Sequence, residues 1–123
     1  MLAGFGENYG LDRTTAFRLA RAFGSGMGMG RDCGAVTGAM MILGFKVQEA
    51  PTEKETRFKV YDLNRELVRR FEQKHGTIVC KDLLGVDVGT PEGRDQAIKE
   101  NLFRTLCPVF VRDAAQILAD MKA

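Results

Sequence analysis

The stretch PTEKETRFKVYDLNRELVRRFEQK, residues 51–74, decides the fold class of this sequence. Its apolar residues recur every three or four positions and its charged residues take the opposite side, which is typical of an amphipathic helix facing a core. The apolar stripe comprises Val60, Leu63, Leu67 and Phe71, with Tyr61 and Val68 beside it. Thr52 followed by Glu55 fits a capping box, and Gly76 ends the helix. A helix of this kind needs other elements to cover its stripe.

Four further amphipathic segments supply that cover, so the sequence predicts about five helices. They span residues 12–23, 32–47, 90–106 and 107–121, and their proposed starts are Asp12, Asp32, Thr90 and Cys107. In the second of them, small residues lie beside the stripe of Val36, Met40, Leu43 and Val47, so another helix can approach closely. Residues 24–30, GSGMGMG, are too rich in glycine for regular structure and predict a loop. Residues 77–79 are β-prone but have no partner strand, which predicts an extended connection.

Short amphipathic helices need one another to bury their stripes, so we predict an all-α, single-domain bundle over residues 1–123. The first five residues, MLAGF, are apolar and have no preceding cap. We interpret them as the tail of a helix whose upstream part is absent, because the gene starts late or because the chain is a fragment.

Composition restricts the possible partners. Lys and Arg number 18 and Asp and Glu 16, a net charge of +2, so nothing calls for a polyanion and we expect no nucleic-acid partner. The longest apolar runs fall short of the roughly 18 residues that a spanning helix needs, and no export signal is evident. We therefore expect no membrane association and a cytoplasmic protein, in which cysteines are reduced by default.

The three cysteines are the most informative residues for function. Cys33 lies in the first turn after the proposed cap Asp32, and Cys107 stands at an N-cap position before a proline. Cys80 immediately precedes the turn at residues 81–84. Unpaired N–H groups at a helix start favour a thiolate, which is both a nucleophile and a metal ligand. The nearby cations Arg31, Lys81 and Arg112 would add to this effect.

Other interpretations of the same residues stay open. Free cysteine is often a small buried hydrophobe, and the cysteine spacings match no local zinc or haem pattern. The glycine-rich loop matches no nucleotide-binding motif. We therefore interpret it as a close-packed turn that brings Cys33 to its neighbours. The only histidine, His75, is expected to be a solvated residue at a helix C-terminus, so Cys/His catalysis has weak support.

Several motifs together resemble a known family. They are FG at 23–24 with MGMG at 27–30, CGAVTGA at 33–39, IVCKDLLG at 78–85, TPEG at 90–93 and CPVFVRDAA at 107–115. Over nearly the whole chain, these residues are similar to the redox-active protein family named for its C-GCAxxG-C-C cysteine pattern. The resemblance implies a small helical prokaryotic protein that is redox-active or metal-binding, with no assigned reaction.

Carried onto this chain, the family's cysteines are Cys33, Cys80 and Cys107. The pattern's first cysteine precedes the segment matching residues 9–12, and this chain starts too late to contain it. Position 34 is glycine here, whereas some members have a cysteine near it. Three cysteines do not complete a four-thiolate zinc or iron–sulfur site in one chain. A three-cysteine site or a reversible cysteine pair remains.

The leading hypothesis is a thiol redox or metal-handling protein in which Cys33, Cys80 and Cys107 are the catalytic residues, or the ligands of a thiolate-bound metal or iron–sulfur cluster. Its redox partner or small-molecule substrate is not identified by the sequence, and the sequence leaves open whether it is an enzyme. The alternative is a helical interaction or homo-oligomerisation module with structural buried cysteines. A third hypothesis is a small-molecule enzyme with a pocket near Tyr61, Arg31 and Arg112.

Overall fold

The computed structural model describes residues 1–122 and is all-α, as predicted. Its helices are α1 Leu2–Phe5, α2 Arg13–Ala20, α3 Gly34–Lys46, α4 Glu53–His75, α5 Cys80–Leu84, α6 Pro91–Lys99, α7 Leu102–Thr105 and α8 Cys107–Asp120. Short 3-10 turns cover Gly6–Tyr9 and Arg21–Phe23. Within residues 1–122, the helices of eight residues or more are α2, α3, α4, α6 and α8, which correspond to the five predicted segments. None of these helices is both long and apolar enough to traverse a bilayer.

Helix α3 lies at the centre of the molecule and packs against α1, α4 and α8. Its buried residues lie on one broad face and are Ala35, Val36, Gly38, Ala39, Ile42 and Leu43. A Cβ built on Gly38 would lie 2.8 Å from the Cβ of Met1, so glycine is what lets the start of the chain approach α3. The prediction of a small-residue face that admits another helix is therefore confirmed.

The predicted helix boundaries are confirmed where a capping side chain is present. Asp12 accepts a hydrogen bond from the Thr15 N–H at 2.8 Å, and Thr52 forms the complete capping box with Glu55 at the start of α4. At the other end of α4, Gly76 is left-handed with φ +81°. On the inner stripe of α4, Leu67 and Phe71 are fully buried, as their spacing predicted.

Two predicted helix boundaries are wrong. The segment 90–106 does not form one helix, because Asn101 adopts a left-handed conformation with φ +61° and separates α6 from α7. Asparagine tolerates that conformation better than most residues. Asp32 does not cap α3: its backbone pairs with Val79, and Cys33 is the N-cap residue. The extended segment 77–79 therefore does have a partner, the residues just before α3.

The glycine-rich segment makes a tight left-handed turn before it reaches Cys33. Ser25, Gly26, Met27 and Gly28 all have positive φ, and the Arg31 N–H donates to the Gly26 carbonyl at 3.1 Å. A Cβ on Gly26 would lie 2.3 Å from the Arg31 nitrogen. Glycine at position 26 is therefore required by sterics as well as by φ, and the predicted close-packed turn is present.

Candidate functional site

A short antiparallel pairing brings Cys33 and Cys80 together. The Cys33 N–H donates to the Ile78 carbonyl at 2.7 Å, and the Cys80 N–H donates to the Arg31 carbonyl at 2.6 Å. These two bonds flank the bridge between Asp32 and Val79. Successive side chains in extended backbone alternate between faces, so Cys33 and Cys80 project to the same face as diagonal neighbours.

Cys107 joins the other two cysteines from the start of α8. All three thiols line a cavity of about 240 Å³. The backbone of the left-handed turn at residues 24–26 forms part of its wall, and the rest is apolar, with Gly34, Ala35, Leu83, Leu84, Phe103, Phe110 and Val111. The fold thus gathers three cysteines from distant parts of the sequence around one apolar space.

The cysteines differ in exposure. Cys80 is 7% exposed, whereas Cys33 and Cys107 are half-buried. All three are free thiols. Cys33 and Cys107 are therefore the thiols that a small molecule entering the cavity reaches most easily, and Cys80 lies deeper.

Burial raises the pKa of each thiol, contrary to the expectation that helix starts would lower it. Burial and the neighbouring thiols of Cys33 and Cys107, with a smaller effect of Asp87, raise the pKa of Cys80 to about 11. Burial and the Cys33 thiol raise the pKa of Cys107. Burial also raises the pKa of Cys33, and the N–H groups of Ala35 and Val36 offset only part of that rise.

The expectation fails for two physical reasons. Moving a thiolate out of water costs more free energy than hydrogen bonds from the first N–H groups of a helix restore. In addition, α5, which begins at Cys80, has only five residues. The cations expected to help, Arg31, Lys81 and Arg112, are exposed and do not line the cavity. The charged groups that act on Cys80 are instead thiolates and a carboxylate, which disfavour ionisation.

The cysteines do not fit a closed metal centre in this arrangement. Structural zinc takes four ligands, with sulfur at about 2.3 Å, and cubane iron–sulfur clusters take four cysteines. Over residues 1–122, no group of three His, Cys, Asp or Glu side chains is placed to hold a metal ion. The metal role of Cys33, Cys80 and Cys107 stays a prediction.

The expectation of a solvated His75 is wrong. Its Nε2 lies 2.8 Å from the Asp113 carboxylate on α8, and both side chains are 15% exposed. The ring also packs against Phe71 and, edge to face at 5.0 Å, against Phe110. Phe110 in turn lines the cysteine cavity. His75 therefore connects α4 to α8 beside the site and lies outside it.

The pocket expected near Tyr61, Arg31 and Arg112 does not coincide with the cysteine cavity, which none of these residues lines. Sequence analysis had missed Phe103, Leu83 and Leu84 as cavity walls. Only Phe110 had a usable signal, its position on the inner face of the last helix. Phe103 depends on the break at Asn101, which the sequence did not predict, and Leu83 and Leu84 lie in α5, where the sequence predicted a turn.

Large apolar side chains also lie on the surface. Phe58 and Tyr61 on α4 are 54% and 46% exposed, and their rings contact each other edge to face. Individually exposed apolar side chains are common on folded proteins. The interpretation as an interaction or oligomerisation module stays a prediction.

An all-α fold with three free cysteines around one apolar cavity defines a helical thiol protein. The chain belongs to the C_GCAxxG_C_C family, whose model, described as "Putative redox-active protein (C_GCAxxG_C_C)", matches residues 1–121. Neither the curated proteins nor the solved structures searched gave a match.

Proposed function

We propose that this protein is a thiol–disulfide exchange protein in which Cys33 is the attacking thiol and Cys80 the resolving thiol. The observation that carries the proposal is the convergence of Cys33, Cys80 and Cys107 on one cavity. A buried cysteine that serves only packing needs no second thiol beside it. Three such thiols in a family described as redox-active favour reversible sulfur chemistry.

Cys33 is the best candidate for the attacking thiol. It is half-buried at the start of α3, where the N–H groups of Ala35 and Val36 favour its thiolate. Cys80 has a pKa of about 11 and is 7% exposed, so it is a poor first nucleophile. Because the thiolate is the reacting species, these differences favour Cys33 over Cys80 for the first step.

Cys80 is suited to resolve the intermediate. It lies diagonally across the short pairing from Cys33 and on the same face. Diagonal neighbours are about 7–8 Å apart at Cα, close to the roughly 4.4–6.8 Å that a disulfide spans. Closing the bond therefore needs a small backbone movement, which suits a disulfide that opens and closes.

The exchange balances in two steps. The Cys33 thiolate attacks a substrate disulfide RSSR, forms the mixed disulfide and releases RS⁻. The Cys80 thiolate then attacks the Cys33 sulfur, forms the Cys33–Cys80 disulfide and releases the second RS⁻. The two protons of the protein thiols end on the two released thiols, so the protein is oxidised by two electrons and RSSR is reduced to two RSH. Raised thiol pKa values slow the attack, because little thiolate is present at neutral pH.

The test uses 2-hydroxyethyl disulfide and mass spectrometry of the reduced full chain. Wild type is expected to lose two hydrogen atoms and form a peptide link between Cys33 and Cys80. Cys80→Ser is expected to stop at a mixed disulfide on Cys33, because the resolving thiol is gone. Cys33→Ser is expected to react at least about tenfold more slowly, because it lacks the proposed attacking thiol and Cys80 is largely buried with a pKa of about 11.

Cys107→Ser is the matched control. It removes one cavity thiol but keeps the proposed pair, so it should still form the Cys33–Cys80 disulfide. If wild type forms no intramolecular disulfide, the redox function is wrong. If Cys80→Ser still forms an intramolecular disulfide, the resolving thiol is Cys107 and the role given to Cys80 is wrong.

A further inference from the structure

The cavity that holds the three thiols has uncharged walls. The lining residues that the structure describes are cysteine, glycine, alanine, serine, leucine, valine and phenylalanine. Ser25 is the only one of them with a hydroxyl group. A substrate that enters meets thiols, ring faces and aliphatic groups, and no side-chain cation.

Cations near in sequence do not change this. Arg31 and Lys81 stand next to the paired segments and Arg112 follows Val111, but all three side chains are exposed and none lines the cavity. A carboxylate moved into such a space loses its hydration and meets no side-chain cation, which is unfavourable. Burial in the same space raises the pKa of all three thiols.

The size of the cavity limits its ligand. A volume of about 240 Å³ corresponds to about eight water-sized groups at roughly 30 Å³ each. Phe103 and Phe110 form flat walls on one side, and Val111, which is 41% exposed, lies at the rim. A molecule of about eight non-hydrogen atoms can therefore lie next to the sulfur atoms.

We propose that the substrate of this site is a small, uncharged, apolar disulfide, which the cavity admits while it excludes charged disulfides. This inference rests on the proposed exchange between Cys33 and Cys80 and specifies which disulfides take part in it. The exchange itself is unchanged: two protein thiols become a disulfide, and RSSR becomes two RSH. The cavity selects against charged disulfides because they lose their hydration on entering it, before any bond breaks.

The test compares two small disulfides, of eight and ten non-hydrogen atoms. Dipropyl disulfide is uncharged, and dithiodiglycolate carries a carboxylate at each end. The rate of protein disulfide formation with each is divided by the rate of the same disulfide with 2-mercaptoethanol, which corrects for intrinsic reactivity. The normalised rate with dipropyl disulfide is expected to exceed that with dithiodiglycolate by at least about tenfold.

A charge placed at the rim tests the cause. Val111→Lys adds a cation at a position exposed enough to tolerate it, and is expected to shift the preference toward dithiodiglycolate by about tenfold. Val111→Met is the matched neutral control and should keep the wild-type preference. Far-ultraviolet circular dichroism checks that both variants fold.

The outcomes separate this inference from the redox function. Equal normalised rates for the two disulfides in wild type, with a protein disulfide formed in both cases, would overturn the substrate class and leave the exchange function intact. Reaction with neither disulfide would overturn both. An unchanged preference in folded Val111→Lys would overturn the uncharged cavity as the cause of selection.

Discussion

At the scale of single residues, burial decides the chemistry of the cysteines more than their position in helices does. Cys33 shows both effects, because the N–H groups at the start of α3 favour its thiolate while the surrounding apolar walls disfavour it more. Cys80 is the least exposed of the three and has the other two thiols as neighbours, and its pKa is raised to about 11. The thiols are therefore held mostly protonated at neutral pH.

The raised pKa of Cys80 makes stability depend on alkaline pH. The pKa rises from 9.0 to about 11 on folding, so the unfolded chain releases this proton first. Stability from this group is fully present below about pH 9 and is lost as the pH rises through about 11. The loss is expected to reach about 2 to 3 kcal/mol.

The free energy of unfolding is measured by urea titration at roughly evenly spaced pH values between pH 8 and pH 11. Cys80→Ala removes the titrating group and is expected to flatten the curve, after allowance for its own lower stability at pH 8. Iodoacetamide labelling of Cys80 in the folded protein should lag behind a free cysteine by about a hundredfold near pH 8. A Cys80→Ala curve as steep as that of wild type would assign the alkaline loss to another group.

At the scale of elements, the site depends on irregular backbone more than on helices. The left-handed turn at residues 25–28 delivers the chain into the extended pairing, and the pairing aligns Cys33 with Cys80. The break at Asn101 creates the short helix α7, which carries Phe103 into the cavity wall. Each of these features lies between two predicted helices or interrupts one.

Alanine substitutions in the glycine-rich turn separate sterics from conformational preference. Gly24→Ala has open space and a negative φ, so it should be nearly neutral. Gly28→Ala has open space but φ +72°, and should lower the free energy of unfolding by about 1–2 kcal/mol. Gly26→Ala combines φ +59° with a backbone contact at 2.3 Å, and should cost clearly more.

The free energy of unfolding from urea titration gives this order directly. Gly26→Ala is also expected to slow formation of the Cys33–Cys80 disulfide, because the turn can no longer position Cys33. Equal costs for Gly26→Ala and Gly28→Ala would show that the close approach of Arg31 is unimportant.

At the scale of the whole molecule, α3, α4 and α8 pack against one another. The bond between His75 and Asp113 joins α4 to α8, and the His75 ring packs against Phe71 and Phe110. Partial burial would by itself raise the pKa of Asp113. The hydrogen bond from His75 and the charges of Lys74 and Arg112 outweigh burial, so the pKa of Asp113 is lowered.

This bond makes stability depend on acid pH. Because the pKa of Asp113 is lower in the folded state than its ordinary value of 3.8, its contribution is present above that value and is lost as the pH falls through the folded pKa. Asp113→Asn is expected to cost about 1 kcal/mol near neutral pH and to reduce the loss of stability below about pH 4.

Thermal unfolding at a series of acidic pH values measures this effect. His75→Ala serves as the matched variant, because it removes the other partner and should weaken the same acid dependence. An unchanged acid dependence in both variants would mean that the link between α4 and α8 does not control acid stability.

The sequence by itself determined the fold class, most helix boundaries and the three cysteines as candidates. Helical periodicity, the side-chain caps at Asp12 and Thr52 and the glycine stop at Gly76 are local signals, because each acts within a few residues along the chain. Only the tertiary structure decided that Cys33 and Cys80 pair across a short bridge, that Cys107 joins them, and that His75 bonds to Asp113. Those outcomes, and the raised thiol pKa values, depend on contacts between residues far apart in sequence and on the burial that these contacts produce.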